Sequence, residues 1–234
     1  MIPRKLTQWI WLLCVSIGLT RLSGCAAPPK HPDEPGRSGL SISVSFNRGA
    51  GQGDYCFIPL QIGNGERGLF FVDTGNPVTV LDTSFEKFLG KRLGTTTLAY
   101  VEFGKAEAGR YGAPALYLNN TKLITGDYVY TQDLRKILGP IFRGRPVMGL
   151  LGADCLRHYC VKFDFISKRL YFLDPNTPTN ADWGRAFPLS SSWKDHRFSV
   201  RQGFGETQGM DLEIDTGCII LTSPWDRLHL SRLD

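Results

Sequence analysis

Histidine is scarce, with four in 234 residues, and none stands where it would serve a nucleophile. His196 and His229 lie near no nucleophile motif and read as surface residues. Ser190-Ser191-Ser192 lacks the Gly-x-Ser-x-Gly surroundings of a nucleophile elbow and reads as loop. His158 falls between Cys155 and Cys160, but no second ligand pair follows at zinc spacing, so neither a metal site nor a cofactor is implied. No run of Lys or Arg with interleaved aromatics occurs, which leaves nucleic-acid binding without support. The apolar stretch at 9–20 is too short to span a bilayer comfortably as a permanent helix. What is present is 42% hydrophobic against 21% charged residues, the balance of a globular chain long enough for one large or two small domains.

The first residues have the plan of a secretory signal: Arg4 and Lys5, the apolar stretch, then Leu22-Ser23-Gly24-Cys25. Removing the three charges of Arg4, Lys5 and Arg21 from the formal +5 leaves +2. Leu22-Ser23-Gly24-Cys25 resembles a bacterial lipobox, which implies an acylated Cys25 as the mature N-terminus and a lipid-anchored envelope protein. Ala26, where Asp would signal retention, implies the outer membrane, facing periplasm or surface. The alternative is an ordinary signal peptide with an incidental cysteine, and Arg21 beside the lipobox is a departure in its favour. Either way the chain leaves the cytoplasm. Cys56, Cys155, Cys160 and Cys218 would then meet an oxidising compartment, where four cysteines permit three pairings and sequence does not choose. Cys155 reads equally as a buried small hydrophobe.

The expected organisation is a signal peptide (1–24), a flexible Pro/Gly/Ser-rich tether (25–53) with a short strand near 40–46, a main lobe (54–173), a linker (174–186) and a partial second lobe (187–234). The patterns are mainly β. Apolar runs at 55–62 and 69–72 flank a Gly63-Asn64-Gly65 turn, a hairpin signal. Further strands are expected at 78–81, 95–103, 111–118, 122–130, 161–165 and 169–173. Ser84 is expected to cap a short helix over 84–89, a helical turn is expected over 153–158, and Gly104 to Gly109 reads as a polar hairpin tip suited to a flap. Tyr100 and Tyr111 flank that tip.

Asp73-Thr74-Gly75 recurs as Asp215-Thr216-Gly217, and each triplet ends the same kind of unit. The first reads FIPLQIGNGERGLFFVDTG, the second FSVRQGFGETQGMDLEIDTG. Each is a β-rich run, a Gly-rich turn, a second apolar run and the triplet. A lone triplet says little, since Asp-Thr-Gly suits any loop; the repeated context says much more.

These residues resemble aspartic peptidases of the pepsin and retropepsin type. The resemblance covers about 55–173 and is carried by Phe71-Val72-Asp73-Thr74-Gly75 followed by Val78-Thr79-Val80-Leu81, by Val147-Met148-Gly149 as the hydrophobic-hydrophobic-glycine element beneath the active-site loop, and by Gly149-Leu150-Leu151-Gly152-Ala153-Asp154-Cys155-Leu156, similar to the GILGxDxL ending of bacterial retropepsin-like domains. It implies a retropepsin/pepsin-like acid-protease lobe, closed and barrel-like, with Asp73 and Asp215 as catalytic dyad. It also implies loop support from Thr74, Gly75, Thr216, Gly217 and Gly149, and a peptide or protein substrate. Asn76 and Cys218 depart from the Ser or Ala usual in the family. After Asp215 no second hydrophobic-hydrophobic-glycine element or closing hairpin follows, so the second lobe is expected to be incomplete.

The chemistry explains the residue types. Two carboxylates sharing a proton can take a proton from water and give one to a carbonyl oxygen. Charges about 3 Å apart at an effective dielectric near 20 repel by roughly 5 kcal/mol, or about four pKa units, so one proton stays bound through mildly acidic pH. A threonine hydroxyl both donates and accepts, which suits Thr74 and Thr216 to locking two loops across a pseudo-twofold axis. Gly75 and Gly217 leave room for a tight turn. Val72 and Ile214 before each aspartate, and Val78 or Ile219 after, are expected to hold the loops on a dry core, and Met148 and Leu151 read as core rather than substrate contacts.

Three readings follow. The first is an aspartic endopeptidase with an intramolecular dyad. In the second, Asp73 pairs with its copy in a homodimer. The third is a non-catalytic envelope protein that grips extended peptides by strand addition, a degenerate or truncated form of the fold.

Overall fold

The computed structural model describes residues 41–63, 65–100, 104–176, 187–191, 198–202 and 210–218. The expected signal peptide, Cys25, most of the linker, His196, His229 and Ile219 lie outside the described residues. What is described belongs to one compact unit.

The architecture is mainly β. β2 (Phe57–Ile62) and β3 (Arg67–Val72) form the expected hairpin, with Phe57 opposite Phe71 and Gln61 opposite Arg67. β4 (Val80–Asp82) leads into a 3-10 turn (Thr83–Phe88) whose cap is Asp82, not Ser84: Asp82 accepts from the Ser84 N–H at 3.0 Å. β5 (Gly94–Tyr100) and β6 (Gly104–Gly112) make a long hairpin; β7 (Leu116–Leu118), β8 (Thr121–Lys122) and β9 (Tyr128–Gln132) follow. A short helix α1 (Leu134–Leu138), capped by Asp133, precedes β10 (Val147–Leu151) and helix α2 (Ala153–Leu156). β2 to β10 form one nine-stranded sheet in the order β5-β6-β9-β4-β10-β3-β2-β7-β8. With β5 and β8 at its edges the sheet is open, which corrects the expectation of a closed barrel-like lobe.

Two further three-stranded sheets complete the described fold. β1 (Ser41–Ser45) pairs with β12 (Arg169–Leu173), which pairs with β11 (Cys160–Asp164). Residues from 41 onward are therefore built into the fold rather than forming part of a tether. Ile42, Val44 and Phe46 alternate inward and bury themselves in the main core, as period-two patterning requires. β13 (Leu189–Ser191), β14 (Phe198–Gln202) and β15 (Met210–Glu213) form the third sheet, antiparallel throughout, so Ser190 and Ser191 lie in a strand paired with β14 rather than in the expected loop.

The connection that matters for the site is made by β10. It lies parallel to β3 (Leu150 opposite Phe71) and antiparallel to β4 (Leu150 opposite Val80), inserted between two strands that flank the first Asp-Thr-Gly turn. On one face Phe57, Phe71, Val80 and Leu150 are buried under Leu134 and Phe142. The other face rests on the main core through Val72, Leu81 and Leu151. An apolar layer on each side leaves the turn between β3 and β4 little freedom. Met148 is partly buried against the main core, and Leu151 is fully buried.

Candidate active site

Asp73 follows β3 and Asp215 follows β15, so each triplet leaves the end of a hairpin. Val72 N–H donates to Cys56 O at 2.9 Å in the first, and Ile214 N–H to Phe198 O at 2.8 Å in the second. The structure brings the two turns face to face.

The contact is reciprocal. Thr74 N–H donates to Thr216 Oγ1 at 3.0 Å, and Thr216 N–H to Thr74 Oγ1 at 2.9 Å. Thr74 Oγ1 donates to Ile214 O at 2.6 Å, and Thr216 Oγ1 to Val72 O at 2.7 Å. Each hydroxyl has one proton, and it goes to a carbonyl; each also accepts one amide. The hydroxyl oxygens stand 3.4 Å apart with both protons already committed elsewhere. Valine at either position would keep the shape of threonine and lose two of these four bonds.

The glycines are required by the same approach. A Cβ on Gly217 would lie 2.5 Å from Asp73 Oδ1, and one on Gly75 2.5 Å from Asp215 Oδ1. Each glycine thus makes room for the carboxyl group of the opposite turn. Asp73 Oδ1 accepts from Gly75 N–H at 3.0 Å and Asn76 N–H at 3.1 Å; Asp215 Oδ1 accepts from Gly217 N–H at 2.7 Å. The two carboxyl groups are within hydrogen-bonding reach of each other. Burial, and then the charge of Asp215 beside it, push Asp73 from the ordinary carboxylate range up to about 7, against the opposing pull of the Gly75 and Asn76 N–H groups. A carboxyl that keeps its proton near neutrality beside a second carboxyl can act as acid while its neighbour acts as base.

Beneath the first turn lies the segment after β10. Asp73 N–H donates to Leu151 O at 3.1 Å, Ala153 N–H to Asn76 O at 2.8 Å and Asp154 N–H to Pro77 O at 3.2 Å. Asp154 Oδ1 accepts from both the N–H (2.9 Å) and the hydroxyl (2.8 Å) of Thr79. A Cβ on Gly152 would strike the Val78 carbonyl carbon at 2.6 Å, so the chain can pass under the turn only as glycine.

That observation corrects one expectation. Gly149 does not underlie the turn. It sits within β10 opposite Phe70, whose ring a Cβ would displace, and Gly152 occupies the place assigned to it. Both glycines follow two apolar residues, and only strand register tells them apart. Thr79 and Asp154 carried no assigned role in the sequence; a polar β-branched residue inside the apolar run 78–81 was the available signal.

Two other expectations change. Gly104 to Gly109 lies within β6, paired with Thr95 to Tyr100, so it is strand and not the expected hairpin tip. Alternating small residues let this segment pair along its whole length. Ile214 is 40% exposed, whereas Val72 is fully buried, so only the first turn has the dry foundation expected of both. Cys155 is buried in the main core, and Cys56, Cys155 and Cys160 are free thiols.

No family model matches the chain, and no curated protein matches it. Among solved structures it is similar to a retropepsin-like aspartic protease from Rickettsia conorii, at 18% identity over 57% of this chain and 90% of that one, with a TM-score of 0.37.

Proposed function

We propose that the chain is an aspartic endopeptidase whose dyad, Asp73 and Asp215, comes from a single molecule. The observation that carries this is the reciprocal Thr74–Thr216 bonding, which holds two carboxyl groups together with the reach to share one proton. With an extended peptide over the pair, the ionised carboxyl takes a proton from a water molecule whose oxygen bonds to the carbonyl carbon. The protonated carboxyl gives its proton to the carbonyl oxygen, yielding a neutral gem-diol. Proton transfer to the amide nitrogen and back from one diol hydroxyl then breaks the C–N bond, leaving an amine and a carboxylic acid. Neither metal nor covalent intermediate enters this scheme.

The test is pepstatin-sensitive cleavage of an unfolded protein across pH 3 to 7. Asp73→Asn and Asp215→Asn should each lose roughly 10²–10⁴-fold in kcat/KM. If Asp215→Asn retains full activity, the dyad belongs to a homodimer through Asp73 alone. If wild type cleaves no faster than either variant, peptide binding without cleavage is left, the reading favoured by Asn76 and Cys218.

The same proposal places the enzyme at the cell envelope, held by a lipid on Cys25, with support from Leu22-Ser23-Gly24-Cys25 and the basic and apolar residues before it. Labelled palmitate should enter wild type and not Cys25→Ser; equal labelling would remove the anchor.

A further inference from the structure

We propose that Asp154 is a positioning residue which, through Thr79, clamps the turn at residues 76–79 and so fixes the Asn76 N–H on the Asp73 carboxyl group. The inference rests on the reading of Asp73 as a reacting carboxyl.

Asp154 is 4% exposed and surrounded by core, where an apolar side chain would avoid the cost of burying a carboxyl. What a carboxyl adds is an oxygen that accepts two bonds at once, from the Thr79 N–H and the Thr79 hydroxyl. With its proton committed to Asp154, the hydroxyl turns a lone pair toward Gly152 N–H at 3.2 Å. Side chain and backbone therefore bind Thr79 from two sides. The backbone of the same segment completes the clamp, because Ala153 and Asp154 N–H groups hold the Asn76 and Pro77 carbonyls. Asn76 is thus fixed on its carbonyl side while its N–H points at Asp73 Oδ1, 3.1 Å away. Asp154 sits 75 residues from Thr79 in sequence, so the clamp ties the far end of the lobe to the reacting turn.

Slackening this clamp has a readable consequence. The Asn76 N–H stabilises the charged form of Asp73 and pulls its pKa down, so losing that bond lets the carboxyl rise above about 7. Among the described residues, the ionisable groups on the elements next to the Asp73 turn include Asp215 and Cys218 on the opposing turn and Glu213 on the strand before it, Asp154 and Cys155 beneath, Asp82 at the end of β4, and Cys56 just before β2. Asp154 itself is raised by burial, against hydrogen bonds from Thr79 and neighbouring backbone. Asp154 does not act as a charge on Asp73 but through the turn between them.

The experiment is a carbon-13 NMR titration of the Asp73 carboxyl in the full chain, with kcat and KM measured in parallel. Asp154→Asn keeps the accepting oxygen and should titrate within about 0.3 pH units of wild type, whereas Asp154→Ala and Thr79→Val should titrate higher by roughly half a unit or more. The alkaline limb of the rate profile should move up by the same amount, with kcat reduced about tenfold and KM within about twofold. Thr79→Val changes little volume and keeps the test open if Asp154→Ala fails to fold. An unchanged Asp73 titration in folded Thr79→Val would overturn the proposal, as would an Asp154→Asn variant that behaves like Asp154→Ala. Should wild type prove to have no peptidase activity, that failure belongs to the proposed function, and the titration still decides the role of Asp154.

Discussion

The turns at Asp73 and Asp215 carry the same triplet and mirror each other across the threonine pair, yet they are founded differently. The first is bound from below by Leu151, Ala153 and Asp154, and it springs from a strand whose last residue, Val72, is fully buried. The second springs from the β14–β15 hairpin, and Ile214 before its aspartate is 40% exposed. Equal motifs do not imply equal stability. The first turn acts as template, and the second takes its geometry in large part from the hydroxyl and amide bonds made across the interface.

The hardest way to break that arrangement is to fill the space each turn leaves for the other. Gly217→Ala and Gly75→Ala put a methyl group where the opposing carboxyl stands, and a shift of about 1 Å can cost about 100-fold in rate. We expect at least that loss in kcat/KM for both variants, measured on a peptide substrate. Activity within a few-fold of wild type would mean the carboxyl groups are not so close.

Next comes the cross-bonding itself. Thr74→Val and Thr216→Val each strand a carbonyl and an amide, at about 1–3 kcal/mol for each unpaired group when buried and less here because the site is part-exposed. The two substitutions remove different halves of the four bonds, but each loosens the contact the other half depends on, so the costs should not add and a double-mutant cycle should show a coupling of about 1–3 kcal/mol. Amide exchange should speed up around residues 210–218 and hardly at all around 67–73. Equal acceleration in both would remove the distinction between template and follower.

A subtler test uses pH. Asp73 is raised in the folded chain, so the stability it contributes is complete below about pH 4 and is lost as pH rises through about 7. Relative to Asp73→Asn, wild type should therefore lose up to about 4 kcal/mol of unfolding free energy between those limits. Denaturant titrations of both proteins at pH 4 and 8 would show it. A constant difference would mean no proton is held there.

The smallest effect is expected at the rim of the first lobe. Arg145 makes a bidentate pair with Asp54, both bonds at 2.7 Å, and Asn47 joins the carboxylate to the start of β2 through Phe57 N–H. The pair is partly exposed, so Arg145→Lys should cost about 1 kcal/mol or less and leave kcat unchanged.

Much of the first lobe was legible because its signals are local. The β2–β3 hairpin follows from apolar runs around a glycine turn, and β12 appears at the expected 169–173. The repeated triplets announced two matched carboxyl groups, and the structure brings them together. Local pattern fails where pairing decides. Residues 111–118 read as one strand, but Pro114 interrupts it, and Tyr111 and Gly112 belong to β6 while Leu116 begins β7. Gly149 and Gly152 share a local pattern and differ only in what the neighbouring chain places against them. The α1 helix has a single turn and an Asp133 cap, too short to show a period. The role of Asp154 is long-range and could not be read from either segment alone.

The central claim is that Asp73 keeps a proton near neutrality because burial, and then the charge of Asp215 of the same chain, raise it. Titrating the Asp73 carboxyl by carbon-13 NMR in wild type and Asp215→Asn tests it most directly. The account predicts a midpoint near 7 in wild type and a fall of roughly one pH unit or more when the neighbouring charge is removed, with burial sustaining the remainder. A wild-type midpoint near 4, or one that Asp215→Asn leaves in place, would contradict it.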